Sequence, residues 1–433
     1  MQKTYYIHTY GCQMNVHESE QLAGMLANRG YVATDKPELC DVMVFNTCCI
    51  RETAETKILG NLGIAKKMKE NKPDMIIAVC GCMAQKDGNA QMLKKRCPFI
   101  NIIFGTHNLP EFGAYLDEVK NNKKKIIEIW EKEKAITEDI PVLRTSGVNG
   151  WVNIMYGCNN FCSYCIVPYV RGRERSREKS QILAEIKDLI AGGYKQITLL
   201  GQNVNSYGNG KDNFASLLSD IASLDGDFRV KFMTSHPKDI SEDVVKVIAS
   251  SNKLADYIHL PVQAGSDRIL SLMNRKYTQK DYLNKIDMIR KHIPHVGLSS
   301  DIMVGFPTET EEDYLETEKV VKAVGFNNLY TFIYSRRSGT PADKMEQIPY
   351  EIKQKRIKRL IDLQFELGNK QAQNCVGKTF NVICEEWKDG VGKGKSSCEK
   401  AITFESKENL YGKFVDIEIT KSKNNQLIGK IKE

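Results

Sequence analysis

The sequence predicts an α/β protein in three parts: an N-terminal doubly wound α/β domain, a central partial (β/α)6 barrel and a small antiparallel β-barrel at the C-terminus. Three observations predict it. Short, uniformly apolar runs alternate with helix-period stretches over most of the chain, the pattern of parallel strands buried on both faces. Cysteine and polar side chains recur directly after those runs, where open α/β sheets and barrels gather their ligands. Beyond about residue 370 the period falls to two and glycines separate the stretches, as in a small antiparallel barrel.

In the first part, residues 1–120, the candidate strands are Tyr5–Thr9, Val42–Asn46 and Met75–Val79. Helices are expected near Ser19–Arg29, Glu52–Glu70 and Asn89–Lys95. Residues 121–143 carry Lys123-Lys124-Lys125 and Glu131-Lys132-Glu133-Lys134 ahead of Pro141, and read as a solvated linker. From 144 to 367 the strand–helix rhythm resumes, with strands at Trp151–Tyr156, Gln196–Leu200, Val230–Thr234, Tyr257–Leu260, Leu298–Val304 and Leu329–Tyr334. Helical patterns fill the gaps, for example Gln181–Ala191, Phe214–Leu224, Asp267–Met273, Gln279–Lys291 and Glu311–Val324. Six units fall short of the eight that close a barrel, so an open one is expected. A basic helix starts in the stretch 353–359 and runs to about Gln373. The last part, 368–433, has period-2 stretches at Thr379–Cys384, Ala401–Phe404 and Phe414–Thr420, with Gly390, Gly392 and Gly394 read as punctuation.

Composition narrows the setting. With 433 residues, 41% of them apolar, the chain can bury several cores. The N-terminus lacks the pattern of a secretion signal, and no run of about 18 apolar residues spans a membrane, so a cytoplasmic protein is expected. Its 13 cysteines are odd in number and too few for a disulfide scaffold at this length. In a reducing compartment, clustered cysteine points to metal or catalysis. A net charge of +8 mildly favours a polyanionic partner. Residues 370–433 add to this, with 12 Lys/Arg against 9 Asp/Glu.

The sharpest local pattern is Gly157-Cys158-Asn159-Asn160-Phe161-Cys162-Ser163-Tyr164-Cys165, a C-x3-C-x2-C spacing with no fourth cysteine nearby. Structural zinc sites close with four ligands, usually from C-x2-C pairs, and fit this poorly. An iron–sulfur cube held by three thiolates instead keeps one iron open to a substrate or cofactor. A second set is argued from topology. Each N-terminal strand runs into cysteine, at Tyr10-Gly11-Cys12, Asn46-Thr47-Cys48 and Cys80-Gly81-Cys82, so three thiols converge at one sheet edge. Position alone does not choose Cys48 over Cys49, or Cys82 over Cys80.

These motifs resemble the radical S-adenosylmethionine enzymes and, across nearly the whole chain, their methylthiotransferase family. Tyr10-Gly11-Cys12-Gln13-Met14-Asn15, Asn46-Thr47-Cys48, Gly81-Cys82-Met83-Ala84-Gln85 and the run 166–177 are similar to the subgroup acting on tRNA. The resemblance implies insertion of a methylthio group at carbon 2 of N6-isopentenyladenosine beside the anticodon. It implies two 4Fe-4S clusters, one on Cys158, Cys162 and Cys165 shared with S-adenosylmethionine, and an auxiliary one on Cys12, Cys48 and Cys82. Cys40, Cys49, Cys80, Cys97, Cys375, Cys384 and Cys398 do not match and read as structural. The terminal barrel resembles a TRAM-like RNA-binding module.

That chemistry would cleave S-adenosylmethionine at the first cluster and hold the sulfur at the second, both open irons facing one cavity. The N-terminal sheet edge is therefore expected over the barrel mouth. Gln202, Asn203, Asn205, Ser235, Gln263 and Asp301 follow barrel strands and are candidates for binding S-adenosylmethionine. His236 and His259 read as structural. Arg171, Arg173, Arg175 and Arg177 alternate, and in an extended segment would share one face suited to RNA phosphates. Arg275 is a further candidate. The expected partners are tRNA, an electron donor and a sulfur source, with the chain a monomer. Three other readings compete: threonylcarbamoyl-adenosine in tRNA as substrate, a ribosomal protein aspartate, and a zinc-stabilised RNA-binding protein without catalysis.

Overall fold

The computed structural model describes residues 2–49, 52–144, 147–208, 210 and 212–432. They form two compact units. The first holds the described residues up to 144 together with 156–159 and 165–175, and the second holds the rest.

The first unit is built on six parallel strands: β1 (Lys3–Thr9), β2 (Tyr31–Ala33), β3 (Val42–Thr47), β4 (Ile76–Gly81), β5 (Ile102–Phe104) and β6 (Ile126–Glu128). Their order across the sheet is β2-β1-β3-β4-β5-β6. Helices α1 (Gln13–Ala27), α2 (Glu52–Asn71), α3 (Cys82–Gln85), α4 (Asn89–Arg96) and α5 (Phe112–Asn122) connect them, and α6 (Val167–Arg171) joins from later in the chain. Strand alternation explains the double winding. Met43, Phe45, Ile77 and Val79 pack one face with Ile58, Leu62 and Leu93. Val42, Val44, Ile76 and Ala78 pack the other with Leu22, Leu26 and Leu116. Every residue of β3 and β4 is buried, as the uniformly apolar runs require.

The segment expected as a solvated linker, 121–143, is one only in part, since 129–143 is irregular with every residue exposed or half-buried. It starts inside α5, and Ile126–Glu128 adds the edge strand β6 in register with Ile102–Phe104. Further on, the Leu143 amide donates to the Glu20 carbonyl of α1. The dense lysines and glutamates mask Ile126, Ile127, Ile129, Ile136 and Ile140, which are too sparse to form a pattern.

In the second unit, β7 (Asn149–Asn153) precedes β8 (Met155–Tyr156), which with β9 (Arg175–Ser176) flanks the C-x3-C-x2-C loop in sequence. Next come α7 (Lys179–Ala191), β10 (Gln196–Leu200), α8 (Phe214–Ala222), β11 (Arg229–Phe232), α9 (Glu242–Ala249), β12 (Tyr257–His259), α10 (Asp267–Leu272) and α11 (Gln279–His292). The series continues with β13 (Gly297–Val304), α12 (Glu311–Val324), β14 (Asn328–Ile333) and α13 (Tyr350–Gln373). The parallel strands pair in chain order, β7-β10-β11 and β12-β13-β14. Val230 of β11 bonds on both sides to the 253–255 segment that leads into β12, joining the two sheets. The result is the open six-strand barrel expected. Local signals set the helix starts: Asn213, Thr278 and Thr310 form capping boxes, and Ser241 and Ser266 cap α9 and α10.

The C-terminal strands β15 (Thr379–Lys388), β16 (Val391–Ser396), β17 (Ala401–Glu405), β18 (Phe414–Lys423) and β19 (Gln426–Ile431) close into a barrel, in the order β15-β16-β17-β19-β18. The glycine stretch read as punctuation is itself β16. A Cβ on Gly394 would lie 1.9 Å from the Ile383 carbonyl oxygen, so glycine lets the small barrel curl tightly there. The barrel packs on the amino ends of the parallel strands. Arg229, first residue of β11, donates to the Lys395 and Asn381 carbonyls, and buried Lys231 pairs with Glu399 at 2.9 Å. Chemistry in such sheets collects at the opposite, carboxyl end.

Candidate cluster and cofactor sites

Strands β1, β3 and β4 are neighbours in the sheet, so the turns that follow them lie side by side. Between β1 and β3 the strand order reverses, since β2 lies on the far side of β1, and ligands of such sheets bind at that switch point. Cys12, Cys48 and Cys82 occupy these turns. Two glycines permit the approach. A Cβ on Gly11 (φ +108°) would meet Cys48 Cβ at 2.7 Å, and one on Gly81 (φ +91°) would meet the Thr47 carbonyl oxygen at 2.5 Å. Asn15 ties two of the turns together, its amide donating to the carbonyls of Tyr10 at 2.7 Å and Thr47 at 3.0 Å.

The electrostatics distinguish the cysteines. Cys12 occupies the N-cap position of α1, and its thiol is pushed up by burial against the opposing pull of Arg171. The Cys82 thiol is held below its ordinary range, first by a hydrogen bond with Cys49 and then, against burial, by Arg171. Burial drives the Cys80 thiol well up, and that side chain packs in the apolar cluster on the other face of the sheet. Cys82 and Cys80 thus pack in the apolar clusters of opposite faces. Arg171 is buried, donates to Glu18 Oε1 at 2.5 Å and Asn15 Oδ1 at 2.9 Å, and hydrogen-bonds Cys82.

Among the described residues, no three His, Cys, Asp or Glu side chains are arranged to hold a single metal ion. A cube makes a different demand, since it spreads its thiolates over three separate irons. Three strand-end cysteines, with a cation beside two of them to offset thiolate charge, fit that demand.

The C-x3-C-x2-C loop is divided, Cys158 and Cys165 belonging to the first unit and Cys162 to the second. The Cys158 amide donates to the Gly172 carbonyl at 3.1 Å. Cys162 Sγ accepts from Arg275 Nη1 at 3.4 Å, and Asn274 Nδ2 donates to the Phe161 carbonyl at 2.9 Å.

At the carboxyl ends of the second unit's strands, several buried polar atoms have no partner. They are Asn203 Oδ1, both amide atoms of Asn205, Ser235 Oγ and Tyr334 Oη. Buried polar groups are normally satisfied, so this set marks a place for a polar ligand. It includes three of the six candidates for S-adenosylmethionine and adds Tyr334, whose strand-end position in sequence was the available signal. Asn203 Nδ2 is already used by Asp239 at 2.7 Å. Gln263 is buried with φ +71°, its backbone bridging to β13, and Asp301 Oδ2 stands 3.6 Å from His259 Nε2. Gln202 is half-buried beside Asn203 in sequence.

The arginine series needs correction. It is not one extended face, because Arg171 ends helix α6. Arg171 is committed to Glu18, and Arg177 is buried, donating to Glu185 Oε2 at 2.7 Å and the Asn153 carbonyl at 2.8 Å. Arg275 is buried on Cys162 and the Pro261 carbonyl. These three serve the protein interior and offer no footing for phosphates. Arg173 is exposed and Arg175 half-buried.

Fold and strand-end chemistry define the class as a radical S-adenosylmethionine enzyme. The Radical SAM superfamily pattern matches residues 152–321, and an uncharacterized protein family, UPF0004, matches residues 4–105. A tRNA-2-methylthio-N(6)-dimethylallyladenosine synthase of Clostridium beijerinckii is 50% identical over 441 residues, covering 100% of this chain and 96% of that protein. The Carboxydothermus hydrogenoformans protein of the same name is 48% identical, covering 98% of both chains. The chain belongs to that synthase family. Among solved structures, the radical S-adenosylmethionine methyltransferase TsrM from Kitasatospora setae matches with a TM-score of 0.58 at 13% identity, over 90% of this chain and 77% of that one. That likeness concerns the fold alone.

Proposed function

We propose that this enzyme adds a methylthio group at carbon 2 of N6-isopentenyladenosine beside the anticodon of tRNA. Near 50% identity along the whole chain to synthases named for that product carries the reading. The Radical SAM match implies a 4Fe-4S cluster and S-adenosylmethionine, which Cys158, Cys162 and Cys165 would hold. A second 4Fe-4S cluster is assigned to Cys12, Cys48 and Cys82. When bound, these groups supply the one-electron chemistry and carry the sulfur that no side chain provides.

The chain's own residues position and balance. Arg171 offsets thiolate charge beside Cys12 and Cys82, and Glu18 keeps that arginine paired in the interior. Arg275 donates to Cys162. Asn203, Asn205 and Ser235, with Tyr334, offer unsatisfied donors and acceptors to the polar groups of S-adenosylmethionine. Gln202, Gln263 and Asp301 stay candidates by position, and Arg173 by exposure for an RNA phosphate. The functional parts are taken as 1–120, 144–367 and 368–433, the last a TRAM-like module. A cytoplasmic monomer served by a separate electron donor and sulfur source completes the reading. No described helix is long and apolar enough to cross a membrane.

Mass spectrometry of tRNA nucleosides from a deletion strain tests it. The methylthio derivative of isopentenyladenosine is expected to vanish and to return with the gene. Its persistence, alongside loss of mass from threonylcarbamoyl-adenosine or a ribosomal peptide, rejects the assignment.

A further inference from the structure

We propose that Thr234 is a positioning residue for S-adenosylmethionine, holding Asn203, Asn205 and Ser235 in place from a strained backbone conformation, an inference that rests on the function proposed above. Thr234 lies just beyond the carboxyl end of β11, and its φ is +67°. Left-handed backbone suits glycine and is tolerated by asparagine and aspartate, whereas a β-branched residue enters it at a cost. Among the described non-glycine residues with positive φ, only Thr234 and Thr308 are β-branched. Thr308 has an evident structural partner, since Arg268 donates to both its hydroxyl and its carbonyl. Thr234 is exposed, so burial of its side chain does not offset the cost.

The bonds made from this conformation tie two strand-end loops together. Strands β10 and β11 are neighbours, and the loop leaving β10 begins at Gly201 and turns at Val204–Ser206. The Thr234 hydroxyl donates to the Gly201 carbonyl, with the Met233 carbonyl as a second acceptor. The Thr234 carbonyl accepts from the Val204 amide at 3.0 Å. One residue therefore grips both ends of the stretch that carries Asn203, with Asn205 directly beyond it. Ser235 is the next residue in the chain, so the same backbone angles set where its hydroxyl departs. Asn203 Nδ2 is anchored on Asp239 at 2.7 Å, which leaves Oδ1 without a partner. Ser235 Oγ and both amide atoms of Asn205 are also buried and unsatisfied. Strain that no packing offsets, adjoining buried polar atoms that no protein group satisfies, is the pattern of a preorganised ligand site.

Anaerobic calorimetry of S-adenosylmethionine binding to the cluster-loaded enzyme, with thermal unfolding of the same samples, tests the proposal. Thr234→Gly removes the strain and the hydroxyl together, so its melting temperature is expected to fall by less than about 3 °C. Its Kd is expected to rise about tenfold, the equivalent of one lost hydrogen bond. Thr234→Ser keeps the hydroxyl and is expected to bind within about twofold of wild type. Thr234→Gly combined with Ser235→Ala should raise Kd by less than the product of the two single effects, because the first acts partly through the second. An unchanged Kd in Thr234→Gly overturns the proposal. So does a melting temperature lowered beyond that margin, or a Thr234→Ser enzyme that binds as weakly as Thr234→Gly, either of which makes Thr234 a structural corner only. Wild-type enzyme that binds no S-adenosylmethionine rejects the function instead.

Discussion

Arg171 answers to a carboxylate, an amide and a thiol at once, so its removal strands more than one partner. Arg171→Leu leaves the buried Glu18 carboxylate uncompensated, and a loss of about 3–5 kcal/mol in denaturant unfolding is expected, largely recovered in Arg171→Leu/Glu18→Leu. Cys48 and Cys49 are separable by anaerobic iron analysis: Cys48→Ser is expected to lose about half the iron, and Cys49→Ser to keep it. His236 gives a pH signature. Burial, then Arg275, pushes its pKa down from 6.5 to about 2, so the folded state holds it neutral. Its contribution is intact above pH 6.5 and is lost as pH falls below that value, by up to about 1.4 kcal/mol per pH unit, because the unfolded chain takes up the proton more readily. Urea midpoints measured at pH 7, 6 and 5 should fall less steeply in His236→Gln.

Among elements, the strands that stand out most sharply in sequence are those buried on both faces, although β1 and β14, with exposed positions, read correctly too. β3, β4, β10 and β13 carry little but apolar or small residues, and nothing else in the chain imitates that. β6 and β16 escaped for opposite reasons. β6 is three residues long and flanked by lysines, and its stability comes from pairing with β5 rather than from any pattern of its own. β16 alternates glycine with lysine because the Phe404 ring at Gly392 and the Ile383 carbonyl at Gly394 fill the space a side chain would take. Where β3 and β4 end, Gly81→Ala forces a Cβ against the Thr47 carbonyl, and a loss of about 1–3 kcal/mol in thermal or denaturant unfolding is expected. At the foot of the open barrel, Lys231→Met leaves the Glu399 carboxylate with Lys395 alone, at 3.4 Å. That change should cost about 1–3 kcal/mol by itself and much less when paired with Glu399→Leu.

For the whole molecule, the cysteines were legible as candidates because cluster chemistry imposes either a tight spacing or a repeated strand-end position, and the turns after β1, β3 and β4 do lie side by side. The arginines were not, since alternation in sequence says nothing of whether a guanidinium meets a buried carboxylate, as Arg171 does, or belongs to an exposed residue, as in Arg173. Cys158/Cys162/Cys165→Ala in one chain is expected to keep about half the iron by anaerobic assay, the remainder sitting on the N-terminal sheet.

The first unit reclaims residues 156–159 and 165–175 after the chain has already entered the second. During synthesis, the sheet therefore emerges well before the guanidinium that neutralises Glu18. A polypeptide stopped at residue 145 would carry an interior negative charge with no counterpart. Such a fragment should be produced poorly, and carrying the boundary past residue 175 should rescue its yield.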